Sequence, residues 1–197
     1  MFTKPVDIRH RRIAKHAKGK ILDIGYIDHP NLFLRGEVWG LDLIIDAKPP
    51  NYKKVVAGDA AEISRLFGKK QFDTVVAAEI IEHLENPAAF LRGVREVIKD
   101  SGKLVISTPN PYHLPTIFAN MFFIKPVFTA HKSHDPYHIT LFPFRNMVTL
   151  LEHCDFRLER VENGNGLILN LKVDSRPVIP FFKAFSQDLI YVVSKSP

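Results

Sequence analysis

The chain has 197 residues, 46% of them hydrophobic and 24% charged, which is typical of a globular protein with a sizeable core. No apolar run approaches the roughly 18 residues of a membrane span, and the first residues, MFTKPVDIRHRR, lack the apolar core of a secretory signal. The single cysteine, Cys154, excludes an intrachain disulfide. We therefore expect one domain, residues 1–197, in the reducing environment of the cytoplasm.

The net charge of +6 is concentrated at the N-terminus. Residues 1–20 carry seven Lys and Arg side chains against one acidic side chain, and the remaining charges cancel. Apolar spacing predicts a helix from about Pro5 to Lys18. This basic N-terminal helix (1–19) either covers a sheet edge or a ligand pocket, or contacts an anionic partner such as a membrane surface. No aromatic residue interleaves the charges, so stable nucleic-acid binding is not expected.

Short apolar segments then predict four strands, which are Lys20–Gly25, Glu37–Leu43, Lys54–Ala57 and Phe72–Ala78. Only 12 residues separate Gly25 from Val38, so a helix between the first two strands must be very short, from about Pro30 to Leu34. Asp59 suits the N-cap of a helix over 60–67.

The stretch after the fourth strand predicts a βαβ unit. Asn86-Pro87 fits a helix start, and apolar residues recur at helical spacing as far as Ile98. Ser101-Gly102 is predicted to end this helix, and Lys103–Ser107 is a further apolar strand. A strand, a helix and a strand within about forty residues indicate a parallel sheet.

This block, FDTVVAAEIIEHLENPAAFLRGVREVIKDSGKLVISTPNP, resembles the fourth-to-fifth-strand region of class I S-adenosylmethionine-dependent methyltransferases. FD-x-V, E-x-x-EHL-x-x-P, the glycine after the helix and STPNP occur in that order. The nearest branch holds the quinone-biosynthesis O-methyltransferases and other small-molecule and glycan enzymes. The resemblance continues more weakly from about Lys20 to the C-terminus. It implies a three-layer α/β, Rossmann-like sandwich with a seven-stranded, mostly parallel sheet and an antiparallel last strand.

The resemblance also implies S-adenosylmethionine as cofactor and places its contacts after the first four strands. Asp42 would accept hydrogen bonds from the ribose hydroxyls, since a carboxylate is a pure acceptor. Asp59 would face the adenine amino group. The implied contacts are Asp23, Gly25, Tyr26, Asp42, Leu43, Asp59, Ala60, Ala78 and Glu79. The chain departs from the family after Gly25, where Tyr26-Ile27 replaces a glycine-rich loop that lets the backbone approach the cofactor.

The turn after the fourth strand carries Glu79, Glu82 and His83, which would share one face of a helical turn. Carboxylates and imidazoles can bind a divalent metal, as in the small-RNA 3′-end methyltransferases that this turn resembles. Alternatively, Glu79 lines the cofactor pocket while Glu82 and His83 form local hydrogen bonds. These three residues are candidate ligands only, and no metal is assigned.

Residues 111–140 are predicted to form a lid and an active-site loop. Leu114–Ala130 is apolar, with no acidic residue and one Lys, and lies where the family places its substrate lid. It could shield an apolar acceptor, contact lipid, pair with a second subunit or simply pack on the sheet. His138 in the following loop, and His83, are candidate catalytic bases because imidazole titrates near neutral pH.

The remainder predicts a helix over Phe144–Cys154, a strand over Phe156–Val161 and a last strand over Asp188–Ser194, with Cys154 as a core residue beside Phe156. The predicted function is methyl transfer from S-adenosylmethionine to an oxygen or nitrogen of a small molecule or glycan. A non-catalytic methyltransferase-like module and a metal-dependent RNA 3′-end methyltransferase stay open. A dinucleotide oxidoreductase would need G-x-G-x-x-G after the first strand, and DIGYID lacks it.

Overall fold

The computed structural model describes residues 5–122, 139–165 and 186–196. The predicted base His138 and residues 123–130 of the predicted lid lie outside the described residues.

The elements follow the predicted order. The helices are α1 (Pro5–His16), α2 (Ile63–Leu66), α3 (Pro87–Val97), α4 (Leu114–Met121) and α5 (Phe144–His153), with short 3₁₀ turns at Ala60–Glu62 and Ile81–His83. The strands are β1 (Lys20–Ile24), β2 (Glu37–Asp42), β3 (Tyr52–Ala57), β4 (Phe72–Ala78), β5 (Ile98–Pro109), β6 (Phe156–Asn163) and β7 (Asp188–Lys195).

The strands form one seven-stranded sheet in the order β3-β2-β1-β4-β5-β7-β6. The pairs from β3 to β5 are parallel, whereas β7 is antiparallel to both β5 and β6. The predicted fold class is therefore confirmed. Strands β2 and β3 lie on one side of β1, whereas β4 and β5 lie on the other side. Such a switch point between β1 and β4 opens a crevice at the carboxyl ends of the strands.

Apolar side chains on the two faces of the sheet form two separate core clusters. The larger cluster includes the buried face of α3 and, as predicted, Cys154 together with Phe156. Asn86 caps α3, because its side-chain oxygen accepts a hydrogen bond from the Ala89 N–H at 2.9 Å. The smaller cluster contains Ile13 and Ala17 and lies beneath the N-terminal segment.

The connection from β1 to β2 contains no helix, so the predicted helix over Pro30–Leu34 is wrong. Buried Asn31 organises this loop instead: its backbone N–H donates to the Tyr52 hydroxyl at 3.2 Å, and its amide donates to the His10 carbonyl at 3.1 Å. Tyr26 and Leu34, each about 1% exposed, fill the space over the sheet. A loop this short covers its face with two large side chains rather than with a helical turn.

The end of α3 also differs from the prediction, which placed it at Ser101-Gly102. The helix stops at Val97, and β5 begins at once at Ile98. The pairing of β4 with β5 skips several residues between Ile98 and Lys103, so Ser101-Gly102 lies within an irregular strand start.

The basic face of α1 contacts the rest of the protein rather than solvent alone. Arg12 donates to the backbone carbonyls of Asn163 and Gly164, and His16 lies 3.1 Å from Glu162. These contacts support the interpretation that the helix covers the sheet. Among the described residues, no helix combines the length and the apolar character needed to cross a membrane.

Candidate active site

Four of the predicted cofactor residues lie along one edge of the sheet. Gly25, Asp42, Asp59 and Glu79 come at or just after the carboxyl ends of β1, β2, β3 and β4, which are adjacent parallel strands. Backbone hydrogen bonds hold these ends together, from the Gly25 N–H to the Leu41 carbonyl at 2.9 Å and from the Gly58 N–H to the Asp42 carbonyl at 2.8 Å.

Gly25 turns the chain out of β1 with a φ of 71°, a conformation that favours glycine. A Cβ added here would lie 2.0 Å from Cδ1 of Ile80. Ile80 thus packs directly on the Gly25 backbone, and this contact joins the loops that follow β1 and β4.

Tyr26 does not line an open loop. Its ring is 1% exposed and packs against Tyr52 with a centroid distance of 5.2 Å. The same ring lies over Gly40, where an added Cβ would come within 2.6 Å of it. Tyr26 therefore points into the core, so its bulk does not obstruct the crevice.

Asp23 is also buried, at 3% exposure, and its carboxylate accepts a hydrogen bond from the Tyr52 hydroxyl. Burial raises the pKa of Asp23 to about 7, and the Tyr52 hydrogen bond opposes part of that rise. Asp23 is therefore linked through the Tyr52 hydroxyl to Asn31 of the loop after β1 and does not face solvent.

Asp42 is held by two backbone N–H groups at this edge. One carboxylate oxygen accepts the Ile27 N–H at 3.0 Å, and the other accepts the Leu43 N–H at 2.8 Å. Each oxygen retains a lone pair for a further donor. Beside it, Leu43 and Ile44 are 69% and 66% exposed, so an apolar surface adjoins a fixed carboxylate.

Asp59 caps the 3₁₀ turn Ala60–Glu62, because its carboxylate accepts the Ala61 N–H at 2.8 Å. The predicted N-cap role is confirmed, although the helical segment is a 3₁₀ turn followed by the four-residue α2. Asp59 is exposed, and Ala60 and Ala78 are half-buried at the same edge.

Glu79 occupies a strained position. Its φ is 56°, in the left-handed region that side chains other than glycine rarely adopt. Its N–H donates to the Ser107 carbonyl at 2.9 Å, and its carboxylate accepts from the Ser107 hydroxyl at 2.9 Å. The second carboxylate oxygen lies 3.3 Å from Nη1 of Arg9 on α1.

Arg9 and Asp188 lie beside Glu79 in an arrangement that the sequence did not reveal. Nη1 of Arg9 also lies 3.3 Å from Asp188, the first residue of β7. Burial raises the pKa of Asp188 to about 7, helped by the charge of Glu79 and opposed by Arg9. The available signal was the spacing of Arg9, three residues after Val6 and four before Ile13, which places it beside the apolar face of α1.

Glu82 is fully buried, and its carboxylate accepts a hydrogen bond from Thr108 at 3.1 Å. Burial, followed by the nearby charge of Glu79, raises its pKa well above the usual range. His83 is half-buried in the 3₁₀ turn that follows Ile80, and its catalytic role stays a prediction.

The predicted common face of Glu79, Glu82 and His83 does not form, because the left-handed Glu79 precedes a turn that spans only Ile81–His83. Among the residues described, no group of three or more His, Cys, Asp or Glu side chains could hold a metal ion. The three candidates therefore do not converge as a ligand set.

Comparison with known proteins agrees with this geometry. Residues 1–161 match the family described as "Methyltransferase domain". The chain belongs to this methyltransferase domain family. The resemblance to class I S-adenosylmethionine-dependent methyltransferases is thereby confirmed.

The similar proteins match at different lengths. The mitochondrial ubiquinone biosynthesis O-methyltransferase of Dictyostelium discoideum is 37% identical over 67 residues, which cover 32% of this chain and only 21% of that protein. A SAM-dependent methyltransferase of Archaeoglobus fulgidus is 22% identical, with a TM-score of 0.64 and coverage of 96% of this chain and 93% of that one.

A third similar protein is the 1,6-didemethyltoxoflavin-N1-methyltransferase of Burkholderia thailandensis, solved with bound S-adenosylhomocysteine. It is 16% identical, with a TM-score of 0.59 and coverage of 98% of this chain and 78% of that one. At these identities both structures show a shared fold.

Proposed function

We propose that this methyltransferase-domain chain transfers a methyl group from S-adenosylmethionine to an oxygen or nitrogen of a small molecule or glycan. The observation that carries the proposal is Asp42, a carboxylate fixed by two backbone N–H groups at the end of β2, beside exposed apolar residues. The relatives named for O-methyl and N1-methyl transfer support a small-molecule acceptor. We also propose that the protein is cytoplasmic.

The residues present fit this cofactor at its nucleoside end. Asp42 has acceptor capacity for the two ribose hydroxyls, and exposed Leu43 offers an apolar surface for the adenine ring. Asp59 and Ala60 are at the neighbouring strand end. At the opposite end, Gly25 and Glu79 would border the methionine part, and the side chain of Ile80 covers the face of Gly25 on which a Cβ would lie.

In the proposed reaction, the bound cofactor supplies a methyl group that its sulfonium already makes electrophilic. The chain's task is to align the acceptor for in-line attack and to exclude water. A hydroxyl or ammonium acceptor must also lose a proton. His83 and His138 are the proposed bases.

The described part of the predicted lid carries exposed apolar side chains. On α4 and just after it, Phe118, Met121 and Phe122 are 53–64% exposed. We propose that this face contacts an apolar portion of the acceptor or a second copy of the chain.

The test is isothermal titration calorimetry of the purified chain with S-adenosylhomocysteine, with NAD as a control ligand. We expect binding of the first and none of the second. A second candidate, a non-catalytic module, is favoured by one observation, the packing of Ile80 on Gly25. Absence of binding at millimolar S-adenosylhomocysteine would leave that candidate as the better function.

A further inference from the structure

The N-terminal helix places a positively charged side chain inside the candidate site. The Arg9 side chain is 11% exposed, and its Nη1 atom bridges Glu79 after β4 and Asp188 at the start of β7. These two carboxylates stand on either side of β5, because β5 pairs with β4 on one edge and with β7 on the other. Arg9 of the N-terminal helix therefore joins the end of β4 to the start of β7 across β5.

Arg9 is the only cation shown near three carboxyl groups in the described part of the site. Burial opposes the charged guanidinium, but Glu79 and Asp188 outweigh that effect, so the pKa of Arg9 is raised. The nearby Glu82 also raises the pKa of Arg9, and Arg9 in turn lowers the pKa of Glu82. Removal of the guanidinium would leave the Glu79 carboxylate without the cation that faces it among the described residues.

The strain at Glu79 indicates what Arg9 contributes. A non-glycine residue at a φ of 56° persists only where its surroundings hold it in place. The Ser107 backbone and hydroxyl fix one side of Glu79, and Arg9 holds the second carboxylate oxygen. Without Arg9, that oxygen would lose the one partner shown for it among the described residues.

We propose that Arg9 is the positioning residue for Glu79: the N-terminal helix completes the site by holding that carboxylate at the carboxyl end of β4. This inference rests on the proposed function, in which Glu79 borders the cofactor. Nε of Arg9 is buried and has no hydrogen-bond partner among the described residues, so both ion pairs shown for the guanidinium are made by Nη1.

The test measures S-adenosylhomocysteine affinity by calorimetry for Arg9→Met, Glu79→Gln and the double variant. Met keeps the apolar stem and removes the charge. We expect each single variant to bind about tenfold more weakly and the double variant to bind no more weakly than either, because both changes remove the same interaction. An affinity of Arg9→Met within twofold of wild type, or additive losses in the double variant, would overturn the proposal.

Two further variants separate positioning from a general structural role. Arg9→Lys should restore affinity to within about threefold of wild type, because a single nitrogen makes both ion pairs. Arg12→Ala is the matched control: it removes contacts of the same helix with the Asn163 and Gly164 carbonyls and should leave affinity unchanged. Equal losses in Arg9→Met and Arg12→Ala would show that only helix docking matters.

The remaining outcomes are also decisive. If Arg9→Met does not fold, Arg9→Gln takes its place with the same expected loss of affinity. If wild type binds and the Arg9 variants bind equally well, only the role of Arg9 is wrong. If wild type itself does not bind, the proposed function fails and the role of Arg9 fails with it.

Discussion

At the scale of single residues, the site depends on a few backbone and carboxylate positions at strand ends. Asp42 is held by the N–H groups of Ile27 and Leu43, so its orientation is set before any ligand arrives. Position 25 favours glycine because its φ is positive and because Ile80 packs where a Cβ would lie. Each of these dependencies can be tested by one substitution.

Asp42→Ala should weaken S-adenosylhomocysteine binding by about 1–3 kcal/mol, the range for donors left without their acceptor. Calorimetry measures the change. Asp46→Ala is the control, since Asp46 is exposed in the same loop and should have no effect. Equal affinities of Asp42→Ala and wild type would remove Asp42 from the site.

Gly25→Ala should lower the free energy of unfolding by about 1–3 kcal/mol, because alanine is strained at this φ and its Cβ would collide with Ile80. Chemical denaturation measures the loss, which should be smaller when Ile80 is also changed to Ala. Gly68→Ala is the matched control, since the nearest atom to an added Cβ there is 3.6 Å away. A loss of similar size at Gly68 would contradict this explanation.

At the scale of elements, the loop from β1 to β2 shows how side chains can replace a helix. The twelve-residue connection contains no helix, and the buried side chains of Tyr26 and Leu34 close the face of the sheet instead. Tyr26 thereby connects the loop to Tyr52 on β3. Tyr26, which replaces part of a glycine-rich loop, thus packs in the core and does not obstruct the crevice.

Tyr26→Ala should therefore lower the free energy of unfolding by about 3–5 kcal/mol, as for other large buried aromatic side chains. Tyr26→Phe should cost less than about 1 kcal/mol, because the hydroxyl makes only a 3.5 Å contact with the Ala47 carbonyl. Urea denaturation compares the two variants. A large loss in Tyr26→Phe would show that the hydroxyl rather than the ring is what matters.

At the scale of the whole molecule, buried carboxyl groups link stability to pH. Burial raises the pKa of Asp23 and of Asp188 from 3.8 to about 7, and it raises the pKa of Glu82 as well. At these three groups the folded state holds protons that the unfolded chain releases, so their contribution to the free energy of unfolding falls as pH rises from about 4 to 7. Burial of His10 lowers its pKa from 6.5 to about 4, which acts in the opposite direction below pH 6.5.

Asp23→Asn should make stability less dependent on pH, because an amide can accept the Tyr52 hydrogen bond without titrating. Relative to wild type, the variant should gain about 1–3 kcal/mol between pH 5 and pH 8. Denaturation midpoints at the two pH values provide the measurement. If the difference in stability between variant and wild type is the same at pH 5 and at pH 8, Asp23 does not hold a proton in the folded protein.

The sequence by itself determined the βαβ unit, the seven strands in order, and the cluster of Gly25, Asp42, Asp59 and Glu79 at strand ends. Periodicity and motif spacing are local signals, and parallel strands necessarily bring their carboxyl ends to one edge. The 12-residue loop after β1 was predicted with a helix because side-chain packing over a sheet is not a local property.

Only the tertiary structure decided which distant groups meet at that edge. Arg9 and Asp188 are separated by 179 residues, yet both contact the site through one ion-pair network. The strained conformation of Glu79 likewise depends on Ser107 and Arg9, which come from other elements. Charge interactions of this kind are set by burial and by distance in space, and neither quantity is encoded in a short stretch of sequence.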